Sequence, residues 1–104
     1  MFEHGGDDVS VRAETLDRLV RELHLSTVSF IKMDVEGAAV EILKGGQETL
    51  SKSKPRIACA AYHTPDEARL VADLLRRHGY SVEVKGVMHS YTNVPEEYVY
   101  ARAD

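Results

Sequence analysis

The stretch FIKMDVEGAAVEILKGG, residues 30–46, changes from a strand-like to a helix-like pattern within a few residues. Residues 29–35 are rich in β-forming side chains and are too short for a stable helix. After Gly37 the apolar residues recur at helical spacing, with charged residues on the opposite side. Asp34 and Glu36 lie at the junction. The stretch therefore predicts a strand whose carboxyl end carries two acidic side chains, followed by a helix.

Three helical patterns are visible along the chain. The first is amphipathic and begins after Thr15, a residue suited to cap it. The second follows Gly37 and is either broken into two short helices at Gly45-Gly46 or tolerates the two glycines. The third has the clearest signals, because Thr64 is the expected N-cap and Gly79 follows the end.

The strand patterns between these helices indicate the fold class. Residues 56–62 form a nearly uninterrupted apolar run, typical of a parallel strand covered by helices. Two further strand patterns end the chain with no helix between them, so we expect them to pair antiparallel. The order indicates an α/β fold with a mostly parallel sheet, an antiparallel last strand and helices on both faces. Residues 1–104 form one domain, in which 1–8 are expected to be loop or disordered and 9–11 a short edge strand.

Composition excludes several classes of protein. The chain is 43% hydrophobic and 29% charged, and its net charge of −4, without a basic run, argues against binding to nucleic acid. No apolar segment approaches the ~20 residues of a membrane helix, so we expect a cytoplasmic protein that does not bind membranes. The single cysteine, Cys59, excludes an internal disulfide and a cysteine-cluster zinc site, and its place in mid-strand predicts an unreactive buried thiol.

Four polar or aromatic side chains follow the two predicted central strands. Asp34 and Glu36 end the first strand, and Tyr62 and His63 end the second. Ligands bind outside the carboxyl ends of strands in open α/β sheets, so these side chains form the candidate site if the strands are neighbours. Structural roles are the alternatives: Asp34 and Glu36 could cap the following helix, His63 could belong to a turn, and Tyr62 could only pack.

Other kinds of chemistry have weaker support in the sequence. Asp34, Glu36 and His63 could together bind a metal, as in a small metal-dependent hydrolase, but their spacing does not require one, and we predict no metal site. No Gly-x-Ser-x-Gly motif is present, and Cys59 has no evident activating partner. No glycine-rich loop follows a first strand, so a nucleoside cofactor has no visible cradle in these residues.

The motifs together resemble a known family. TLDRL at residues 15–19, the stretch at 30–46, a strand ending in Tyr-His, and a later Gly-Tyr resemble the carboxyl-terminal half of FkbM-type methyltransferases. Members typically carry a K-x-D-V-E-G-A-E-x-x-x-L-x-G segment. The positions that match it are Lys32, Asp34, Val35, Glu36, Gly37, Ala38, Leu43 and Gly45. Ala39 departs from the pattern, since an acidic residue is common there.

This resemblance implies an S-adenosylmethionine-dependent O-methyltransferase with a Rossmann-like sheet of seven strands. Strands four to seven would be present here, with the last inserted antiparallel. Asp34 would then lie near the cofactor, and Glu36, Tyr62 and His63 near a small-molecule acceptor with a hydroxyl group. A carboxylate of Asp34 or Glu36, or the imidazole of His63, would orient or deprotonate that hydroxyl.

The resemblance also implies that part of the usual enzyme is missing from these residues. The family's glycine-rich cofactor loop and ribose-binding acid belong to earlier strands, so we expect this portion to be inactive or weak alone. An unpaired sheet edge predicts a homodimer or a complementing chain. The alternative from another class is a cofactor-free α/β interaction or oligomerisation module.

Overall fold

The computed structural model describes residues 2–4, 9–11, 14–35, 37–87 and 96–103. Its elements in chain order are β1 Phe2–His4, β2 Val9–Val11, α1 Leu16–Glu22, β3 Phe30–Met33, α2 Ala39–Lys44, α3 Gln47–Lys52, β4 Arg56–Ala60, α4 Glu67–Arg77, β5 Ser81–Val87 and β6 Glu96–Arg102. No helix within these ranges is long and apolar enough to cross a bilayer.

The first two strands pair antiparallel in a small sheet of their own. The strand expected at residues 9–11 is thus confirmed as β2. The loop expected over residues 1–8 is wrong for Phe2–His4, which form β1. This segment has a hydrogen-bonded partner strand, since Phe2 pairs with Val11 and His4 with Val9. Its polar, glycine-rich sequence does not suggest that partner.

The main sheet has the strand order β3-β4-β6-β5. Strands β3 and β4 are parallel, whereas β6 is antiparallel to both of its neighbours, β4 and β5. Three of the four strands therefore point the same way, and the last strand runs against them from a position between β4 and β5. The α/β fold with an antiparallel last strand is confirmed, and the final two strands pair antiparallel as expected. Because that last strand lies inside the sheet, the expected mostly parallel sheet is a mixed one, with one parallel and two antiparallel pairings among the described strands.

The hydrophobic core lies on one face of this sheet. Because side chains alternate along each strand, Met33, Cys59 and Val99, which are in register across β3, β4 and β6, share that face. Helices α2, α3 and α4 contribute the other half of the core. Its buried members are Met33, Ala39, Leu43, Leu50, Ile57, Cys59, Ala61, Ala68, Val71, Leu75, Tyr80, Val99 and Ala101.

The opposite face of the sheet differs from the expectation of helices on both faces. Phe30 and Tyr100 alternate onto that face and are 56% and 43% exposed. With Ala58 and other strand residues they line an open groove of about 520 Å³. Within the described ranges, the lining of this groove comes from β3, β4, β5 and β6 and from no helix.

Two short helices replace a single long one after Gly37. The chain breaks between α2 and α3 at Gly45-Gly46, which decides between the two alternatives left by the sequence. A close approach by the start of α1 explains the second glycine. A Cβ on Gly46 would lie 2.5 Å from Leu16 Cδ2, so a larger residue there would require Leu16 to move. The backbone N–H of Asp17 donates to the Gly45 carbonyl at 3.0 Å.

Two neighbouring side chains cap two different helices: Thr15 caps α1 and Asp17 caps α3. The Thr15 hydroxyl accepts a hydrogen bond from the Arg18 N–H at 3.2 Å, which confirms Thr15 as the N-cap of α1. The Asp17 carboxylate accepts from the N–H of Glu48 at 3.0 Å, and from the N–H and hydroxyl of Thr49 at 2.8 and 2.7 Å. Asp17 thereby satisfies the first N–H groups of α3.

Helix α4 does not begin at the predicted N-cap, Thr64. Helix α4 begins at Glu67, later than expected, and its N-cap residue Asp66 makes no side-chain capping bond. The Thr64 hydroxyl therefore does not cap this helix. The backbone carbonyl of Thr64 accepts from the Glu67 N–H at 3.3 Å instead, within a turn that precedes the helix.

The buried thiol of Cys59 is expected to be unreactive in the folded protein. Burial raises its pKa to about 11, and the negative charges of Glu67 and Asp34 act in the same direction. At pH 8 an accessible-thiol reagent should modify Cys59 much more slowly in buffer than in guanidinium chloride, because the thiolate is the nucleophile and the side chain is 1% exposed. Rapid, stoichiometric labelling of the folded chain would contradict this assignment.

Candidate active site

The carboxyl ends of β3 and β4 lie at the same edge of the sheet. The two strands are parallel neighbours, with Met33 opposite Cys59, so Asp34 and the Tyr62-His63 pair follow them at one edge. This confirms the condition on which the candidate site depended. Asp34 is exposed there. Glu36 lies outside the described residues, so its expected role stays a prediction.

Gly37 turns the chain away from this edge. Its φ of +77° lies in the left-handed region, which a residue with a Cβ adopts only with strain. Helix α2 then begins with Ala38 at its N-cap and without a side-chain capping bond. The alternative in which Asp34 caps this helix is therefore wrong, and its carboxylate is left at the sheet edge.

His63 is held by a buried carboxylate from α4. Its Nδ1 lies 3.1 Å from Glu67 Oε1, and the same oxygen accepts a hydrogen bond from the His63 backbone N–H at 3.2 Å. Glu67 is only 2% exposed, whereas the His63 side chain is 18% exposed. A mostly buried imidazole thus keeps some access to solvent while one of its nitrogens faces an anionic group.

The His63 imidazole also stacks on an aromatic ring, which a second ring supports in turn. The Tyr62 ring stacks on His63 with centroids 4.8 Å apart and planes at 18°. Tyr98 of β6 meets Tyr62 edge to face at 5.7 Å, and its hydroxyl donates to Glu96 Oε2 at 3.0 Å. That hydrogen bond, together with burial, raises the pKa of Tyr98 to about 12, so the phenol stays protonated at neutral pH. Tyr62 therefore packs against two rings, and one of them belongs to a candidate site residue.

The carboxylates of Asp34 and Glu67 approach this edge from two elements. The negative charges of both carboxylates contribute to the raised pKa of Cys59, whose side chain lies on the core face of β4. No three His, Cys, Asp or Glu side chains in the described part of the chain are close enough together to hold a metal ion.

Two residues near this edge were not singled out from the sequence. Glu67 lies in the first turn of the third helical pattern and Tyr98 in the last strand pattern, and neither pattern marks a site residue. The signal for Glu67 is its spacing four residues after His63, which brings side chains together only when the intervening chain turns. Tyr98 reaches Tyr62 through the antiparallel pairing of β6 with β4, and no local pattern reports that pairing.

Comparisons with known proteins agree with this architecture. The family model described as the methyltransferase FkbM domain matches residues 1–82. This chain is similar to the crystal structure of methyltransferase FkbM from Methylobacillus flagellatus KT, with 26% sequence identity and a TM-score of 0.56. The match covers 69% of this chain and 19% of that chain. The AMB antimetabolite synthetase AmbE of Pseudomonas aeruginosa is 29% identical over 79 residues, which cover 71% of this chain and 4% of AmbE.

This chain thus spans only a small part of the length of the relatives that it matches, 19% of one and 4% of the other. The family suggested by the Thr-Leu-Asp and Asp-Val-Glu-Gly-Ala motifs is the family whose model matches. Because that match covers residues 1–82 of 104, the chain belongs to the FkbM methyltransferase family.

Proposed function

We propose that this chain is the acceptor-side portion of an S-adenosylmethionine-dependent methyltransferase that methylates a hydroxyl group of a small molecule. The observation that carries the proposal is that Asp34 and the Tyr62-His63 pair follow the carboxyl ends of two neighbouring parallel strands, in a member of a methyltransferase family. Open α/β sheets bind their ligands at such an edge. The compartment proposed for the protein is the cytoplasm.

Asp34 is proposed to bind the cofactor. Its exposed carboxylate complements the positive charges that S-adenosylmethionine carries on its sulfonium and amino groups, so this residue suits the charged part of the cofactor. S-adenosylmethionine, when bound, supplies an electrophilic methyl group. The nucleoside is proposed to be held by residues outside these 104, in a longer protein or in a complementing chain. The small share of its relatives that this chain spans supports that proposal.

His63 is proposed to be the general base. Its Nδ1 faces Glu67, so Nε2 is the nitrogen that can accept a proton from an acceptor hydroxyl. Tyr62, stacked on the imidazole, is proposed to line the acceptor site. Glu36 is proposed to orient the acceptor. Holding the acceptor oxygen in one geometry contributes to the rate by reducing the entropy lost on reaching the transition state.

Calorimetric titration tests this function. The full-length protein that carries these residues is expected to bind S-adenosylmethionine and S-adenosylhomocysteine with a Kd on the order of 1 μM, or about −8 kcal/mol. Asp34→Asn should weaken binding by about tenfold, because one charge interaction is lost. Asp66→Asn, an exposed acid at the start of α4, is the matched control and should bind as tightly as the wild type. Absence of binding to either compound would contradict the proposal.

One observation favours a second candidate, a cofactor-free interaction module. The groove on the open sheet face exposes Phe30 and Tyr100 among charged residues such as Arg56 and Glu83, and large exposed apolar side chains that lie together are typical of an interface. A stable homo-oligomer that binds neither S-adenosylmethionine nor S-adenosylhomocysteine would support this candidate over the methyltransferase.

A further inference from the structure

The contact between Glu67 and His63 has a feature that a purely structural role does not explain. Glu67 Oε1 serves both the backbone N–H and Nδ1 of His63, but Oε2 is buried and has no hydrogen-bond partner among the described residues. A buried polar atom without a partner lowers stability by roughly 1–3 kcal/mol. A capping side chain with a single oxygen could satisfy the His63 N–H without that loss. The burial of a whole carboxylate at this position therefore indicates a role for Glu67 beyond capping.

We propose that Glu67 is the positioning residue for His63, which it keeps in the tautomer with the proton on Nδ1. This inference rests on the proposed function of His63 as the base. In this proposal Glu67 is a carboxylate, which can only accept hydrogen bonds, and the His63 nitrogen at 3.1 Å is the donor. In a neutral imidazole the other nitrogen, Nε2, is then unprotonated and free to accept a proton.

The same contact stabilises the protonated imidazole. When Nε2 takes the proton of an acceptor hydroxyl, the ring carries a positive charge, and Nδ1–H continues to donate to Glu67 Oε1. A charge-assisted hydrogen bond in a site of low exposure is stronger than a neutral one. The buried carboxylate thus interacts more favourably with His63 after proton transfer than before it.

The ring is restrained in this geometry, because the residues that support it are linked to α4 and β6. Tyr62 stacks on the imidazole face and is itself met by Tyr98 of β6. Glu67 is the first residue of α4, whose next turns are anchored in the core by Ala68 and Val71. A base held by a helix residue, and stacked on a ring that a strand residue supports, is placed more accurately than one held by a loop alone.

Nitrogen NMR of the histidine-labelled full-length protein tests the tautomer without a mutation. The wild type is expected to show His63 with a protonated Nδ1 and, at a pH where the ring is neutral, an unprotonated Nε2. A proton on Nε2 instead, with Nδ1 bare, would overturn the proposal. Glu67→Gln keeps the shape but can donate to Nδ1 through its amide, so the population of the other tautomer should rise.

Kinetics separate positioning from folding. Glu67→Gln should lower kcat for methyl transfer by about 10- to 100-fold, by analogy with the loss seen when the carboxylate partner of a metal-binding histidine is removed. The KM for the acceptor should change by less than about threefold, because Glu67 acts through His63 and does not hold the acceptor. Glu67→Asp, which restores a carboxylate, should recover part of the rate. Asp73→Asn, on the same helix and paired with Arg69 and Arg76, is the matched control and should change neither tautomer nor kcat.

The two proposals fail in different ways. If the wild type transfers methyl groups but Glu67→Gln leaves the His63 tautomer and kcat unchanged, Glu67 is not a positioning residue and the proposed function stands. If no methyl transfer is found but the tautomer depends on Glu67, the positioning is real and the proposed function is wrong. Should Glu67→Gln fail to fold, the wild-type tautomer and the Glu67→Asp variant still decide the matter.

Discussion

Replacing Asp17 by alanine is expected to lower the free energy of unfolding by about 2–4 kcal/mol. The carboxylate accepts three hydrogen bonds at the start of α3, from the N–H groups of Glu48 and Thr49 and from the Thr49 hydroxyl. Loss of a helix cap costs about 0.5–2 kcal/mol. The Thr49 hydroxyl, buried at 4% exposure, would also lose its acceptor, which adds roughly 1–3 kcal/mol.

Urea denaturation of the purified variants measures this effect. Asp17→Asn keeps one acceptor oxygen and should lose less stability than Asp17→Ala. Asp66→Ala is the matched control, since Asp66 also precedes a helix but makes no side-chain capping bond, and it should change stability by less than about 0.5 kcal/mol. If Asp17→Ala and Asp66→Ala are equally mild, the capping role assigned to Asp17 is wrong.

The effect of Asp17 should depend on pH. Burial alone would raise the pKa of this carboxyl, but the hydrogen bonds from Thr49 and Glu48 and the nearby charge of Arg21 outweigh burial and lower the pKa below its usual 3.8. A carboxyl with a lowered pKa contributes stability above its unfolded pKa and loses it as the pH falls through the folded value. The difference between wild type and Asp17→Ala should therefore be constant near neutrality and shrink below about pH 4.

Replacing His63 by alanine is expected to lower kcat for methyl transfer by about 10²- to 10⁴-fold, the usual contribution of a general base. The affinity for S-adenosylmethionine should change little, because Asp34 rather than His63 is proposed to bind the cofactor. His78→Ala, at the far end of α4, is the matched control and should retain full activity. A kcat within about threefold of the wild type would remove His63 from the mechanism. A large loss in Asp34→Asn or Glu36→Gln alone would then assign the base to that carboxylate.

Local patterns were sufficient for much of the fold. Thr15 caps α1 because a hydroxyl before an amphipathic run needs only residues three positions away. The strand at Phe30–Met33 and the apolar run beginning at Arg56 became β3 and β4, since β-rich segments of this length between helices have few alternatives. The shared sheet edge of Asp34 and His63 follows from the parallel pairing of those strands.

The failures have a common physical origin in contacts between distant residues. Asp17 caps a helix more than 30 residues away, so its partner Thr49 is not visible in the local pattern. Thr64 was expected to cap α4 by position, but the chain makes an additional turn, in which Glu67 folds back onto His63. The face of Phe30 was expected to be covered, and whether a sheet face is covered depends on what packs there.

The position of β6 determines when the main sheet can form during synthesis. Among the described strands, β5 pairs with β6 alone, and β6 lies between β5 and β4. During synthesis, β3, β4 and β5 leave the ribosome before the strand that links them, and β5 has no neighbouring strand until Arg102 has followed. The sheet therefore closes only after Arg102 has been synthesised. Until then the edges of β4 and β5 are unpaired, and at that stage a chaperone or a second nascent chain could bind them.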